Sequence, residues 1–177
     1  MIETPRLTLR AWRDEDREDA HAMGQDERVM AYFGSLQTPE ETDRMVDRMV
    51  ALHAERGFCF WAVERREDNA LLGICGLKIG PDGTPIAGEM EIGWRFRVDA
   101  WGQGYAREAA QASLAFAWEN LDCPAVYAIT VLANERSWGL MERLGMRRLP
   151  ELDFEHPIIP EGNPIRPHIT YRIERPQ

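Results

Sequence analysis

The chain has 177 residues, 44% hydrophobic and 29% charged, the balance of one soluble globular domain spanning 1–177. Its 21 basic and 30 acidic residues leave a net charge of −9, which argues against nucleic acid as a partner, since that surface needs a basic patch. No apolar run approaches the ~20 residues of a membrane helix and no basic stretch precedes an apolar core at the N-terminus, so a cytoplasmic protein without a membrane partner is expected.

Arg6-Leu7-Thr8-Leu9-Arg10 alternates and predicts a first strand. Asp14 is expected to cap a helix running to about Gly24, with acidic residues crowding its first turn. Over 25–37, Val29, Met30, Tyr32 and Phe33 form an apolar cluster that reads as a short helix or a lip over a groove. Thr38-Pro39-Glu40-Glu41 starts a second long helix: Thr38 and Glu41 form a capping box and proline takes the first helical position. Met45, Met49, Leu52 and Arg56 follow at helical spacing, and Gly57 ends the helix.

Phe58 to Glu64 and Leu71 to Ile79 read as strands joined by a turn at Asp68-Asn69. A second turn at Gly80-Pro81-Asp82-Gly83 leads to a central strand from Glu89, with Met90, Ile92, Trp94, Phe96 and Val98 on one face. Such short connections make these strands antiparallel. The turn Trp101-Gly102-Gln103-Gly104-Tyr105-Ala106 opens a helix whose apolar stripe is Ala106, Ala110, Leu114, Ala117, Trp118 and Leu121. Cys123-Pro124 breaks the chain before a strand from Ala125 to Leu132, and this strand–helix–strand passage implies a parallel crossover. Asn134 to Leu144 is a short helix stopped by Gly145, and Met146 begins another strand. The stretch 150–167 carries Pro150, Pro157, Pro160, Pro164 and Pro167 and reads as a long ordered loop before a last strand, His168 to Glu174. The fold class is α+β: a mixed, mostly antiparallel sheet of six or seven strands with helices on both faces.

The glycine turn is the chemical centre of this layout. Gly102 and Gly104 let the backbone bend and approach a ligand closely, and the unpaired N–H groups of the helix start point into the turn. Together they make an anion site suited to phosphate. Cys59, Cys75 and Cys123 are scattered and odd in number, and His21, His53, His156 and His168 lack ligand spacing, so no metal site and no disulfide framework is expected.

With the strand E-I-G-W-R-F before it, W-G-Q-G-Y-A resembles the acyl-CoA-binding motif of the GNAT N-acetyltransferase superfamily, Arg/Gln-x-x-Gly-x-Gly/Ala. Gly104 and Ala106 fill its last two positions, and Trp101 stands where the wider superfamily has Arg or Gln. The likeness extends to T-P-R-L-T-L-R, to Asn134-Glu135-Arg136-Ser137 and to Leu144-Gly145-Met146, and is nearest the ribosomal-protein N-terminal acetyltransferase (RimJ/RimL-type) branch. It implies a GNAT-like fold in which the strands before the central helix and after Pro124 splay apart. It further implies acetyl-CoA as co-substrate, with its pyrophosphate on the amides of Gly102, Gln103, Gly104, Tyr105, Ala106 and Arg107. The pantetheine arm would pair with the backbone of Phe96, Arg97 and Val98 and meet Trp101, Asn134 and Ser137. A homodimer fits the branch.

Acetyl transfer to a primary amine, whether a protein N-terminus or a small molecule, needs a proton acceptor, and Glu91 on the central strand is a candidate, with Glu89 two residues earlier. Glu91 reads equally as part of an exposed strand face or as an ion-pair partner of Arg95. Asn134 reads as an ordinary N-cap, and the resemblance implies a hydrogen bond to the pantetheine arm. Ser137 reads as a helix serine bonded back to the backbone, and the resemblance places it near the thioester sulfur. Met141 stands where many members carry a tyrosine acid, and Cys123 has no histidine near it in sequence, so direct attack in a ternary complex is expected over an acyl-enzyme. The loop residues Glu155, His156, Glu161 and Arg166 are candidates for the acceptor site. A non-catalytic acyl-CoA-binding sensor of the same fold is the alternative reading.

Overall fold

The computed structural model describes residues 1–177. The strands are β1 (Ile2–Glu3), β2 (Leu7–Arg10), β3 (Phe60–Arg65), β4 (Leu71–Ile79), β5 (Met90–Phe96), β6 (Ala125–Val131), β7 (Arg147–Arg148), β8 (Phe154–Glu155) and β9 (Pro167–Glu174). The helices are α1 (Arg17–Gly24), α2 (Glu27–Met30), α3 (Pro39–Arg56), α4 (Tyr105–Asn120) and α5 (Glu135–Arg143). The strands form one sheet in the order β1-β2-β3-β4-β5-β6-β9-β7, with β8 also paired to β9. Only β5–β6 is parallel. The sheet is nine-stranded, more than the six or seven expected, because β1 and β8 are two-residue pairings too short to show alternation.

Each face is set by side-chain alternation. On one face Trp61, Cys75 and Trp94 lie in register across β3, β4 and β5 and meet α4. The Cys75 Sγ is 3.8 Å from Ser113 Oγ, and Trp61 meets Phe116 edge-on at 5.1 Å. The buried stripe of α4 is Tyr105, Ala109, Ala110, Ser113, Leu114 and Ala117, rotated from the expected one, so that small residues let the helix lie close on the sheet. Cys59 and Cys75 are fully buried and their thiols are pushed up to about 12 by desolvation, as inert small hydrophobes should be. The opposite face of β4 and β5 carries Lys78, Glu91, Gly93 and Arg95, toward α1, α2 and the start of α3.

Three local expectations change. Asp14 does not cap α1; the chain enters through a 3₁₀ turn, Asp14–Asp16, where the Asp16 carboxylate accepts the Arg13 N–H at 2.8 Å. Thr38 and Glu41 do cap α3 reciprocally, but its buried positions are Thr42, Val46 and Met49, and Arg56 is exposed. The central strand stops at Phe96, because Val98 starts a second 3₁₀ turn, Val98–Ala100.

The reason Asp16 faces inward is Arg10. Its guanidinium is 4% exposed and held by Asp16 at 2.7 and 2.8 Å and by Glu64 at 2.7 Å, a fully paired network. Removing one partner of a buried pair strands the other charge. Asp16→Ala should therefore lower unfolding free energy by about 3–5 kcal/mol in denaturant titration, whereas a loss below about 1 kcal/mol would mean that Glu64 alone satisfies Arg10.

Candidate functional site

The turn before α4 is built from two left-handed glycines, Gly102 at φ 73° and Gly104 at φ 81°. A Cβ would find open space at Gly102 and only an arginine side-chain nitrogen, 3.4 Å away, at Gly104, so backbone conformation rather than packing demands glycine here. None of the amides from Gly102 to Arg107 donates a hydrogen bond within the protein, and three of them belong to the first turn of α4. This is a nest of consecutive N–H groups at a helix start, an anion site by geometry and dipole.

The nest is braced from behind by Thr4 and Arg6, from the opening T-P-R-L-T-L-R stretch, and by Glu108 on α4. Arg6 Nη1 donates to Gln103 O at 2.9 Å, its Nε donates to Glu108 at 2.7 Å, and its guanidinium lies 4.5 Å from the Tyr105 ring centroid. Glu108 also accepts from Thr4 Oγ1 at 2.6 Å and from the Arg6 N–H at 2.9 Å, partners that hold its carboxyl below the usual range against the opposing effect of burial. The Gln103 side chain folds back on Asp99 O at 2.6 Å, and Arg107 is exposed.

Beside the nest the sheet opens. β4 and β5 stay in register from Gly73↔Phe96 to Ile79↔Met90, but β5 meets β6 only at Met90↔Val126 and Glu91↔Tyr127. Beyond Glu91 the two strands part, as the resemblance implies. Arg97 donates its N–H to Leu72 O at 2.9 Å and so faces β4, and alternation turns the N–H and C=O of Trp94 and Phe96 toward the gap. Of these, the Phe96 carbonyl is taken by Trp101 Nε1 at 2.9 Å. The backbone of Arg97 is thus committed to the sheet, contrary to its expected place among the cofactor-facing amides, and the free edge begins earlier, at Trp94. Val98 opens the 3₁₀ turn and has no intrahelical acceptor for its N–H. Across the gap, Arg136 on α5 stacks on the Trp101 ring at 4.5 Å and ties the two arms together.

Glu91 sits where the strands part. It is 6% exposed, and Lys78, its register partner on β4, places Nζ 3.1 Å from Oε2. That ion pair lies outside hydrogen-bonding angles, so Oε2 is buried with no hydrogen-bond partner. Burial pushes the Glu91 carboxyl up and Lys78 opposes it. Glu91 is therefore neither on an exposed face nor paired with Arg95; Glu89, just before β5, is exposed. Lys78 also lies 5.5 Å from the Phe60 ring centroid, and that ring covers Gly93 so closely that a Cβ there would stand 2.8 Å from it. Lys78 carries no signal of its own in the sequence; only the β4–β5 register puts it opposite Glu91.

On α5, Asn134 holds the N-cap position without capping: its amide donates to Thr130 Oγ1 at 3.2 Å. Ser137 is half-buried, and its Oγ is not bonded back to the backbone; only its N–H is, to Asn134 O at 3.0 Å. Met141 is core, 1% exposed.

The 25–37 segment and the proline-rich loop come together. A Cβ on Gly34 would stand 3.5 Å from Ile165 Cδ1, joining 25–37 to the proline-rich loop. In that loop Arg166 pairs with Glu155 at 3.1 Å and reaches Glu161 at 4.0 Å. His156 meets His168 at a tilt, ring centroids 4.8 Å apart, and burial, then the His168 and Lys78 charges, hold His156 below its ordinary range. By register, Tyr127, His168 and Arg172 share the face of Glu91 across the opening. No helix is long and apolar enough to cross a membrane.

Residues 6–147 match the family model described as an acetyltransferase (GNAT) domain. The uncharacterized N-acetyltransferase YnaD of Bacillus subtilis (strain 168) is 30% identical over 164 residues, 92% of this chain and 89% of that one. A crystal structure of a GNAT-family acetyltransferase from Bacillus anthracis superposes with a TM-score of 0.80 at 28% identity, covering 98% of both chains. The spermidine N-acetyltransferase of Vibrio cholerae, solved with CoA and spermine, shares the fold at a TM-score of 0.74 and 17% identity, covering 97% of both.

The raised Glu91 carboxyl carries a stability consequence. A group whose folded value lies above its unfolded one stabilises the fold fully below about pH 4.3, and that contribution is lost as pH rises through the folded value. Glu91→Gln removes the titration, so its melting temperature relative to wild type should climb as pH rises above about 4. A flat or falling difference in a calorimetric pH series would show that Lys78 fully compensates the carboxylate.

Proposed function

Since the chain belongs to the acetyltransferase (GNAT) family, we propose that it transfers acetyl from acetyl-CoA to a primary amine by direct attack in a ternary complex. The observation that carries this reading is the adjacency of two unsatisfied backbone surfaces: the amide nest Gly102–Arg107 and the free β5 edge at Trp94 and Phe96. One fits a pyrophosphate and the other fits the amides of a pantetheine arm. A protein of the same fold, the Vibrio cholerae spermidine N-acetyltransferase, was crystallised with CoA.

Bound acetyl-CoA supplies an acetyl thioester. The amine nitrogen forms a bond to its carbonyl carbon, the carbon–sulfur bond breaks, and the thiolate leaves with the electron pair. The N–H groups of Phe96 and Val98 are the donors for the negative charge developing on the carbonyl oxygen, one such donor being typically worth about 3 kcal/mol. Glu91 takes the amine proton, its buried and hydrogen-bond-free Oε2 being a carboxylate oxygen with capacity to spare. The Lys78 ammonium, 3.1 Å away, opposes the upward push of burial on that carboxyl. Trp101 stands on the β5 side and Asn134 on the far wall, and the Ser137 hydroxyl is free to pass a proton to the thiolate while regaining one from solvent. With Met141 in the core, no tyrosine performs that step.

Gly104→Val forces a β-branched residue into the left-handed region, where it is strained, and turns the nest amides away. Calorimetry should show at least about a 10-fold loss of CoA affinity in a folded variant, a loss of about 1.4 kcal/mol. Undiminished affinity would remove the nest from the site.

Ser137→Ala should cost about 10-fold in kcat, roughly 1.4 kcal/mol, with acetyl-CoA binding nearly unchanged. The effect is modest because a thiol of ordinary pKa, about 8.5, leaves tolerably unaided. Full kcat in the variant would assign protonation of the thiolate to water.

A further inference from the structure

Two guanidiniums are buried in this protein, and they are treated in opposite ways. Arg10 is 4% exposed and has two carboxylates on it. Arg95 is 7% exposed and has no carboxylate within ion-pair distance. Its Nη1 donates to Gln37 Oε1 at 2.9 Å and lies 3.2 Å from Met30 Sδ, both neutral. Nε is buried without an acceptor, and Nη2 on the same edge makes no hydrogen bond either. That Nε–Nη2 edge is the one that grips a carboxylate with two parallel hydrogen bonds.

Burial draws Arg95 down to about 10, still protonated near neutrality. A buried charge costs several kcal/mol unless it is paired. In a chain with 30 acidic residues, a guanidinium left bare is a charge kept for something else. Its location says what. Arg95 is on β5, on the face of Glu91 and beyond the last β5–β6 pair. The cover over it comes from the 25–37 segment: Met30, Gln37 and the Phe33 ring, 5.4 Å from the guanidinium and itself 52% exposed. Along this face Lys78, Arg10 and Arg172 each have a carboxylate within ion-pair distance, and Arg95 has none.

The geometry points to Arg95 as the receptor for a carboxylate on the acceptor, so that the amine acetylated here belongs to an amino-acid-like molecule and not to a polycation. This rests on the acetyltransferase reading above and specifies its substrate class. Arg95 is a specificity-determining residue on this account, with Gln37 orienting its fork.

The test uses product-like ligands that need no turnover. Calorimetry on the full chain with CoA present compares each N-acetyl-amino acid with its carboxamide across the standard side chains. For the best-bound side chain the acid should bind at least about 10-fold tighter than the amide. That preference should fall to about 2-fold or less in Arg95→Met and in Gln37→Glu, the second of which supplies a carboxylate to the guanidinium from within. Acids and amides that bind alike, or not at all, in wild type overturn the assignment, as does a preference that survives in the variants. Should Arg95→Met fail to fold, Gln37→Glu decides alone. Affinity for acetyl-CoA should be unchanged in both, and a loss of about 10-fold would give Arg95 to the co-substrate instead. Release of CoA from acetyl-CoA in the presence of the free amino acid reads the catalytic proposal separately: acid-selective binding without CoA release would sink the transferase reading and leave the anion site standing.

Discussion

The constraint on which this molecule turns is an interrupted ladder. A parallel strand pair in the middle of a sheet ordinarily satisfies its backbone along its whole length, because unpaired N–H and C=O groups are costly when buried. Here β5 and β6 pair at Met90↔Val126 and Glu91↔Tyr127 and then part, while each keeps a full antiparallel partner on its other side. The opening is therefore rigid, framed by β4 and β9. Trp101 is the hinge post: its indole satisfies the Phe96 carbonyl and its ring takes the Arg136 guanidinium from the opposite arm. The proposed chemistry lies along this opening, with the amide nest at one end and Glu91 at the apex.

Polar groups in this protein sort by whether the fold satisfies them. The Arg10–Asp16–Glu64 network and the Arg6–Glu108–Thr4 brace are closed and structural. The nest amides, the β5 edge, Glu91 Oε2 and the Arg95 fork are open, and all lie along β5 and the turn after it. Buried side-chain atoms without a partner also occur away from the opening, at Thr42, His53 and Arg148, but along β5 they stand beside unpaired backbone, where a ligand restores what the fold withholds.

Much of this was legible in the sequence because local rules governed it. The capping box of Thr38 and Glu41, the glycine turn and the crossover through α4 follow from short-range chemistry that nothing tertiary overrides. The resemblance to GNAT acetyltransferases rested on that same turn. What was not legible depends on register and burial. That Lys78, not Arg95, meets Glu91 is a cross-strand fact, and the bare Arg95 is visible only once its surroundings are. The contact of Gly34 with Ile165 joins segments more than a hundred residues apart, neither of which has periodicity to read. Asp14 failed as a cap because Arg10, from a preceding strand, claims Asp16 and draws the chain into a 3₁₀ turn first.

The central claim, that the open β5 edge and the nest together hold acetyl-CoA, is tested most directly by amide hydrogen exchange with and without CoA. The account predicts strong added protection at Trp94, Phe96 and Gly102–Arg107, with the already bonded Arg97 amide little changed. Protection confined to other elements, or spread evenly over the fold with none at Trp94 and Phe96, would contradict it.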